Sequence, residues 1–150
     1  MKVTSSAFQN EGKIPSKYTC DGDNISPPLA ISEVPAEAKS LVLIMDDPDV
    51  PKEVRKEGVW DHWVVFNMPT DVKEIPEGQE PPGTPGKGTN GETGYYGPCP
   101  PDREHRYFIR LYALDTTLDL PEGADKVTVE RAMTNHAIDK DFLMGKYERQ

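Results

Sequence analysis

Proline and glycine punctuate this chain so densely that long helices have no room in it. Fifteen Pro and 12 Gly make up 18% of 150 residues, above the roughly 12% of average usage and below the 25–30% that signals disorder. Breakers at this spacing favour many short strands joined by turns. A chain of this length can bury roughly 70% of its unfolded surface. We therefore expect one domain over residues 1–150, mostly β, with one or two short helices.

Three segments read as strands. Ser40 to Met45 is a continuous aliphatic run bounded by Asp46-Asp47-Pro48, as expected of a strand buried on both faces. His62 to Met68 carries Val64, Val65 and Phe66 and is stopped by Pro69. His105 to Leu114 is rich in aromatic and β-branched residues. Gly78 to Pro101 holds six Pro and seven Gly and reads as loop. Val129, Ala132, Met133, His136 and Ala137 fall at i, i+3, i+4, i+7 and i+8, one face of a helix. That spacing makes His136 a hydrogen-bonded core histidine. Gly145 and Tyr147 follow in a closing strand.

Charge narrows the partners. Seventeen Lys and Arg against 26 Asp and Glu leave −9, and no Lys/Arg cluster of the kind that grips a phosphate backbone occurs. Nucleic acid and anionic membrane surfaces are poor partners for such a chain. The longest apolar run, Leu41 to Met45, is far short of a membrane-spanning helix. Met1 to Ser6 has no secretory h-region, so the expected compartment is the cytoplasm.

Familiar motifs fail on context. Gly86-Lys87-Gly88-Thr89-Asn90-Gly91 fits G-x-G-x-x-G, but Pro81, Pro82 and Pro85 precede it and Gly94 follows, so neither the strand nor the helix that motif needs is present. Cys20 and Cys99 form no C-x-x-C pair. What remains is polar residues at strand edges. Pro48 forces Asp47 to be extended, which would aim Asp47 and Asp49 to one side; a solvated acidic turn is the plain alternative. His62 opens one strand and His105 another, and Tyr107 shares the face of His105.

Together these residues resemble the phosphatidylethanolamine-binding protein family, most closely its bacterial and archaeal Raf-kinase-inhibitor-like branch. The resemblance runs through Tyr18 to Leu29, Asp46-Asp47-Pro48-Asp49-Val50-Pro51, Trp60-Asp61-His62-Trp63, Gly94 to Pro101, His105-Arg106-Tyr107 and Leu111 to Asp115. It implies an antiparallel β-sandwich with a small pocket formed by Asp47, Asp49, Trp60, His62, Gly97, Pro98, His105 and Tyr107. It implies no cofactor and no catalytic residue. Val50 and the charged stretch Lys52 to Gly58 depart from the family pattern at the pocket rim. The branch commonly carries both cysteines, so Cys20 and Cys99 are expected within disulfide range; two independent buried thiols are the alternative. It also implies a homodimer, for which Tyr95 and Tyr96 offer apolar surface.

Three functions are compatible with such a pocket. One is a receptor for a small phosphorylated or anionic ligand, such as the zwitterion phosphoethanolamine. Gly97 would bring backbone N–H groups to the anion, and the carboxylates would repel it unless neutral or paired with imidazolium. A second is a kinase or protease inhibitor acting by protein–protein contact. The third is a metal-dependent hydrolase with two His and two Asp as ligands.

Overall fold

A computed structural model describes residues 1–150 throughout. Two antiparallel sheets face one another. The smaller contains β1 (Lys2–Thr4), β2 (Leu29–Ser32) and β5 (Glu74–Ile75) in the order β1-β2-β5. The larger contains β3 (Ser40–Asp47), β4 (Trp60–Met68), β6 (Thr84–Pro85), β7 (His105–Leu114) and β8 (Ala137–Tyr147) in the order β6-β4-β3-β7-β8. One α-helix, α1 (Lys126–Met133), and a single 3-10 turn at Ser16–Tyr18 complete the regular structure. This is the mostly β, sandwich-like architecture that the density of Pro and Gly predicts. No helix is long and apolar enough to cross a membrane.

Two cores explain the unbroken apolar run of β3. Leu41, Leu43 and Met45 join Trp63, Val65, Ile109 and Leu111 in the core between the sheets. Val42 and Ile44 point the other way, joining Val64, Phe66, Val129 and Met133 beneath α1. Successive strand residues face opposite sides, so a central strand covered on both faces has no position for a polar residue between Ser40 and Asp46. There Arg110 and Lys126 take up the Asp46 carboxylate at 3.0 and 3.3 Å, closing the helix-side core with ion pairs.

The helix is shorter than its apolar stripe. Asp125 caps it by accepting the Thr128 N–H at 2.9 Å. It stops at Met133 because Asn135 adopts a left-handed φ of 69°, a conformation Asn tolerates and helices cannot continue. His136 therefore leaves the apolar face. It stands half-exposed with Nδ1 2.8 Å from Asp115 Oδ1, not in the core, and Ala137 opens β8 instead. Tyr95 and Tyr96 are likewise internal contacts. Tyr95 packs edge-on against Trp63 at 5.2 Å and donates its hydroxyl to the Tyr18 carbonyl. Tyr96 lines the cavity described next.

Candidate functional site

At the end of the large sheet where β3 finishes and β4 and β7 begin lies a cavity of ≈ 210 Å³. Asp47, His62 and Tyr107 form its polar floor, and Val50, Val54, Trp60, Tyr96, Cys99 and Pro101 its walls. Backbone register brings the floor together. Asp47 pairs with Trp60 across β3 and β4, while His105 and Tyr107 occupy alternate positions on β7. The rings of His105 and Tyr107 stack at 6.3 Å, as their shared face predicts.

His62 reaches the floor by an irregularity. Met45 pairs with Trp63 and Asp46 with Asp61, so His62 is the extra residue of a β-bulge, the device that re-aims a side chain. Plain alternation would have placed it with Val64 and Phe66 beneath α1. Its Nδ1–H donates to the Tyr96 carbonyl at 2.6 Å. Burial pushes its imidazole down to about 4, so near neutral pH it is uncharged and Nε2 is a lone-pair acceptor. Its ring meets Tyr107 edge-on at 5.4 Å.

The two carboxylates part company. Pro48 and Asp49 form a turn rather than further strand, so Asp49 does not share the face of Asp47. The Asp49 N–H folds back onto Asp47 Oδ1 at 2.8 Å. Its carboxylate is held by the Arg106 guanidinium, Nη2 to Oδ1 at 2.8 Å and Nε to Oδ2 at 2.9 Å. That fork keeps Asp49 below the usual carboxylate range. Asp47 turns inward, its Oδ2 2.6 Å from His105 Nδ1. Burial pushes its carboxyl above the ordinary range, opposed by the hydrogen bonds from His105 and the Asp49 N–H.

His105 is fully buried, and its other nitrogen, Nε2, lies 2.6 Å from Asp102 Oδ1. Asp102 and Arg106 are polar neighbours of the site residues that the sequence does not single out. Their signal was adjacency: one stands three residues before His105 and the other directly after it. Tyr107 is 1% exposed and its hydroxyl makes no hydrogen bond. Burial, then the nearby Asp47, push the phenol well above its ordinary value, so it remains a protonated donor buried in the cavity floor. A buried polar group without a partner is rare.

Gly97 and Pro98 stand behind the wall rather than on it. The Gly97 N–H donates to Asn24 Oδ1 at 2.8 Å, and the Pro98 carbonyl accepts the Cys20 N–H at 3.1 Å. A side chain at Gly97 would collide with the Tyr18 carbonyl. The glycine thus permits close packing of two loops, and its amide is not free for an anion. Cys20 and Cys99 are joined as a disulfide with Cα atoms 5.4 Å apart, and Cys99 forms cavity wall. The charged stretch after Pro51 supplies the rim: Val54 lines the mouth, and the Arg55 guanidinium lies 5.9 Å from the Trp60 ring. No three His, Cys, Asp or Glu side chains converge as metal ligands. His105 spends both nitrogens on carboxylates and Asp49 both oxygens on Arg106, so the metal-hydrolase reading lacks its donor set.

A family model described as phosphatidylethanolamine-binding protein matches residues 4–148. The chain is 51% identical to a UPF0098 protein of Methanothermobacter thermautotrophicus and 50% identical to one of Chlamydia trachomatis, each over 99% of both chains. Among solved structures it is similar to a putative phosphatidylethanolamine-binding protein homolog from Chlamydia trachomatis, with a TM-score of 0.95 and 49% identity over 99% of this chain and 97% of that one. It is also similar to E. coli YbcL, with a TM-score of 0.89 and 27% identity over 99% and 98%.

Proposed function

Because the chain belongs to the phosphatidylethanolamine-binding protein family, we propose that its cavity is a receptor for a small phosphorylated ligand of the phosphoethanolamine type, which it binds without transforming. The observation that carries this reading is charge compensation around an unpaired donor. An acidic floor would repel phosphate, yet Asp49 is neutralised by Arg106 and Asp47 lies against the His105 ring. The Tyr107 hydroxyl lies near Asp47 without a well-formed hydrogen bond to it, and is left as a donor. A phosphate oxygen would supply its acceptor. The ligand's own protons, on an ammonium or a phosphate hydroxyl, would meet the acceptors Asp47 and His62 Nε2. The apolar walls at Val50 and Trp60 suit the short carbon link of such a headgroup.

Binding to the full chain is measured by calorimetric titration with phosphoethanolamine. We expect one site per chain in the wild type and about tenfold weaker binding in Tyr107→Phe, which deletes one hydrogen bond worth roughly 1.4 kcal/mol. Equal heats for the two proteins would remove the floor from the binding site.

A further inference from the structure

We propose that Asp102 is a positioning residue for this cavity: by accepting the Nε2–H of His105 it keeps two protons on the buried His105–Asp47 pair, so that the pair carries no net charge towards an incoming phosphate. The second clause rests on the phosphorylated-ligand reading, and the first does not.

The argument is a proton count. Both ring nitrogens of His105 lie 2.6 Å from a carboxylate oxygen. Each contact needs one proton: Asp102, held ionised, only accepts, so Nε2 carries its own, and a second lies between Nδ1 and the Asp47 carboxyl that burial pushes up. Two protons on an imidazole and a carboxyl together leave the His105–Asp47 pair without net charge, on whichever of the two the shared proton rests. With Asp102 in place His105 is 0% exposed, so in the folded chain Asp102, and not solvent, is the acceptor at Nε2. Asp102 differs from its partners in this chain of three. Its side chain is 40% exposed, and the Arg103 backbone N–H and the His105 ring hold its carboxyl below the ordinary range. It therefore stays ionised at the surface while its effect is felt at the floor.

The other groups around the ring cannot replace it. Asp49 is occupied by the Arg106 guanidinium. His62 has its Nδ1 on the Tyr96 carbonyl. The ring of Tyr107 stacks beside that of His105. Tyr147, opposite in register on β8, gives its hydroxyl to Asp21. Without Asp102, Nε2 has no carboxylate acceptor, and the ring returns to a single N–H directed at Asp47. The buried Asp47–His105 pair then passes from neutral to singly negative, and the floor turns against phosphate.

The test compares wild type with Asp102→Asn, Asp102→Ala and Asp102→Glu, all at an exposed turn position that leaves the core untouched. Ring-nitrogen NMR of His105 at about pH 7, where a free imidazole is mostly neutral, is read beside phosphoethanolamine titration. We expect a protonated Nε2 in the wild type, its loss in Asp102→Ala, its weakening in Asp102→Asn and its return in Asp102→Glu. Phosphoethanolamine affinity should follow, falling about tenfold in Asp102→Ala. An unchanged ring in Asp102→Ala would overturn the assignment. A changed ring with unchanged affinity would overturn its second clause. A changed ring in a protein that binds no phosphoethanolamine would support the first clause and overturn the ligand reading.

Discussion

His62 shows how much one side chain can owe to a backbone irregularity. Its imidazole is held near a value of about 4 against an ordinary 6.5, chiefly by burial. The folded chain thus refuses a proton that the unfolded chain accepts across that interval. The sign follows: stability is complete above about 6.5 and is lost as the pH falls towards about 4, by on the order of 3 kcal/mol for this one group. Urea midpoints measured across that range should drop on acidification. In His62→Gln, which keeps a donor for the Tyr96 carbonyl, the slope should be shallower; an identical slope would assign the acid sensitivity to other groups. That a histidine stood at the start of this strand was legible in the sequence. That it faced a cavity, and not the helix-side core, was not, because the bulge between Asp61 and Trp63 is created by pairing with β3.

At the scale of elements, β8 was the least legible. Ile138 to Phe142 sets three charged residues in a row between two apolar ones, without a strand's usual composition, yet it lies within an eleven-residue strand. Its charges have partners that are remote in sequence: Asp139 takes the amino terminus at 2.9 Å and Asp141 takes the Val3 N–H at 2.9 Å. Gly145 on this strand lets Phe8 and Ile14 lie directly on the backbone, at 2.7 and 2.5 Å from where a Cβ would stand. Gly145→Ala should therefore destabilise the fold by about 2 kcal/mol, as overpacking does, read as a lowered urea midpoint; an unchanged midpoint would mean that the contact yields freely. The helix was over-read for a complementary reason. Its apolar spacing continues past Met133, but the backbone turns left-handed at Asn135, and spacing carries no information about φ.

Across the whole molecule, the Cys20–Cys99 disulfide ties the turn after Tyr18 to the cavity wall over a separation of 79 residues. Closing so long a loop removes unfolded-state entropy worth about 4 kcal/mol in the chain-entropy model. Protein kept from reductant should show no free thiols when denatured, and Cys20→Ser with Cys99→Ser should unfold at markedly lower urea. Two thiols per chain before reduction would remove the bridge. The double variant should also loosen the loop that carries Tyr96 and Cys99, so ligand affinity and stability should fall together.

What the sequence by itself determined is local and periodic. Its breakers excluded long helices, its unbroken apolar run marked a strand covered on both faces, and alternation placed Tyr107 beside His105. These follow from backbone conformation and side-chain period, which neighbours in sequence decide. The tertiary structure alone decided which polar atoms meet. It sent Asp47 inward to His105 and Asp49 outward to Arg106, although the two are only two residues apart. It used the Gly97 amide on Asn24, and it set Asp102 against the far nitrogen of His105. Hydrogen bonds and ion pairs act over about 3 Å, and only the folded chain brings groups so distant in sequence within that reach.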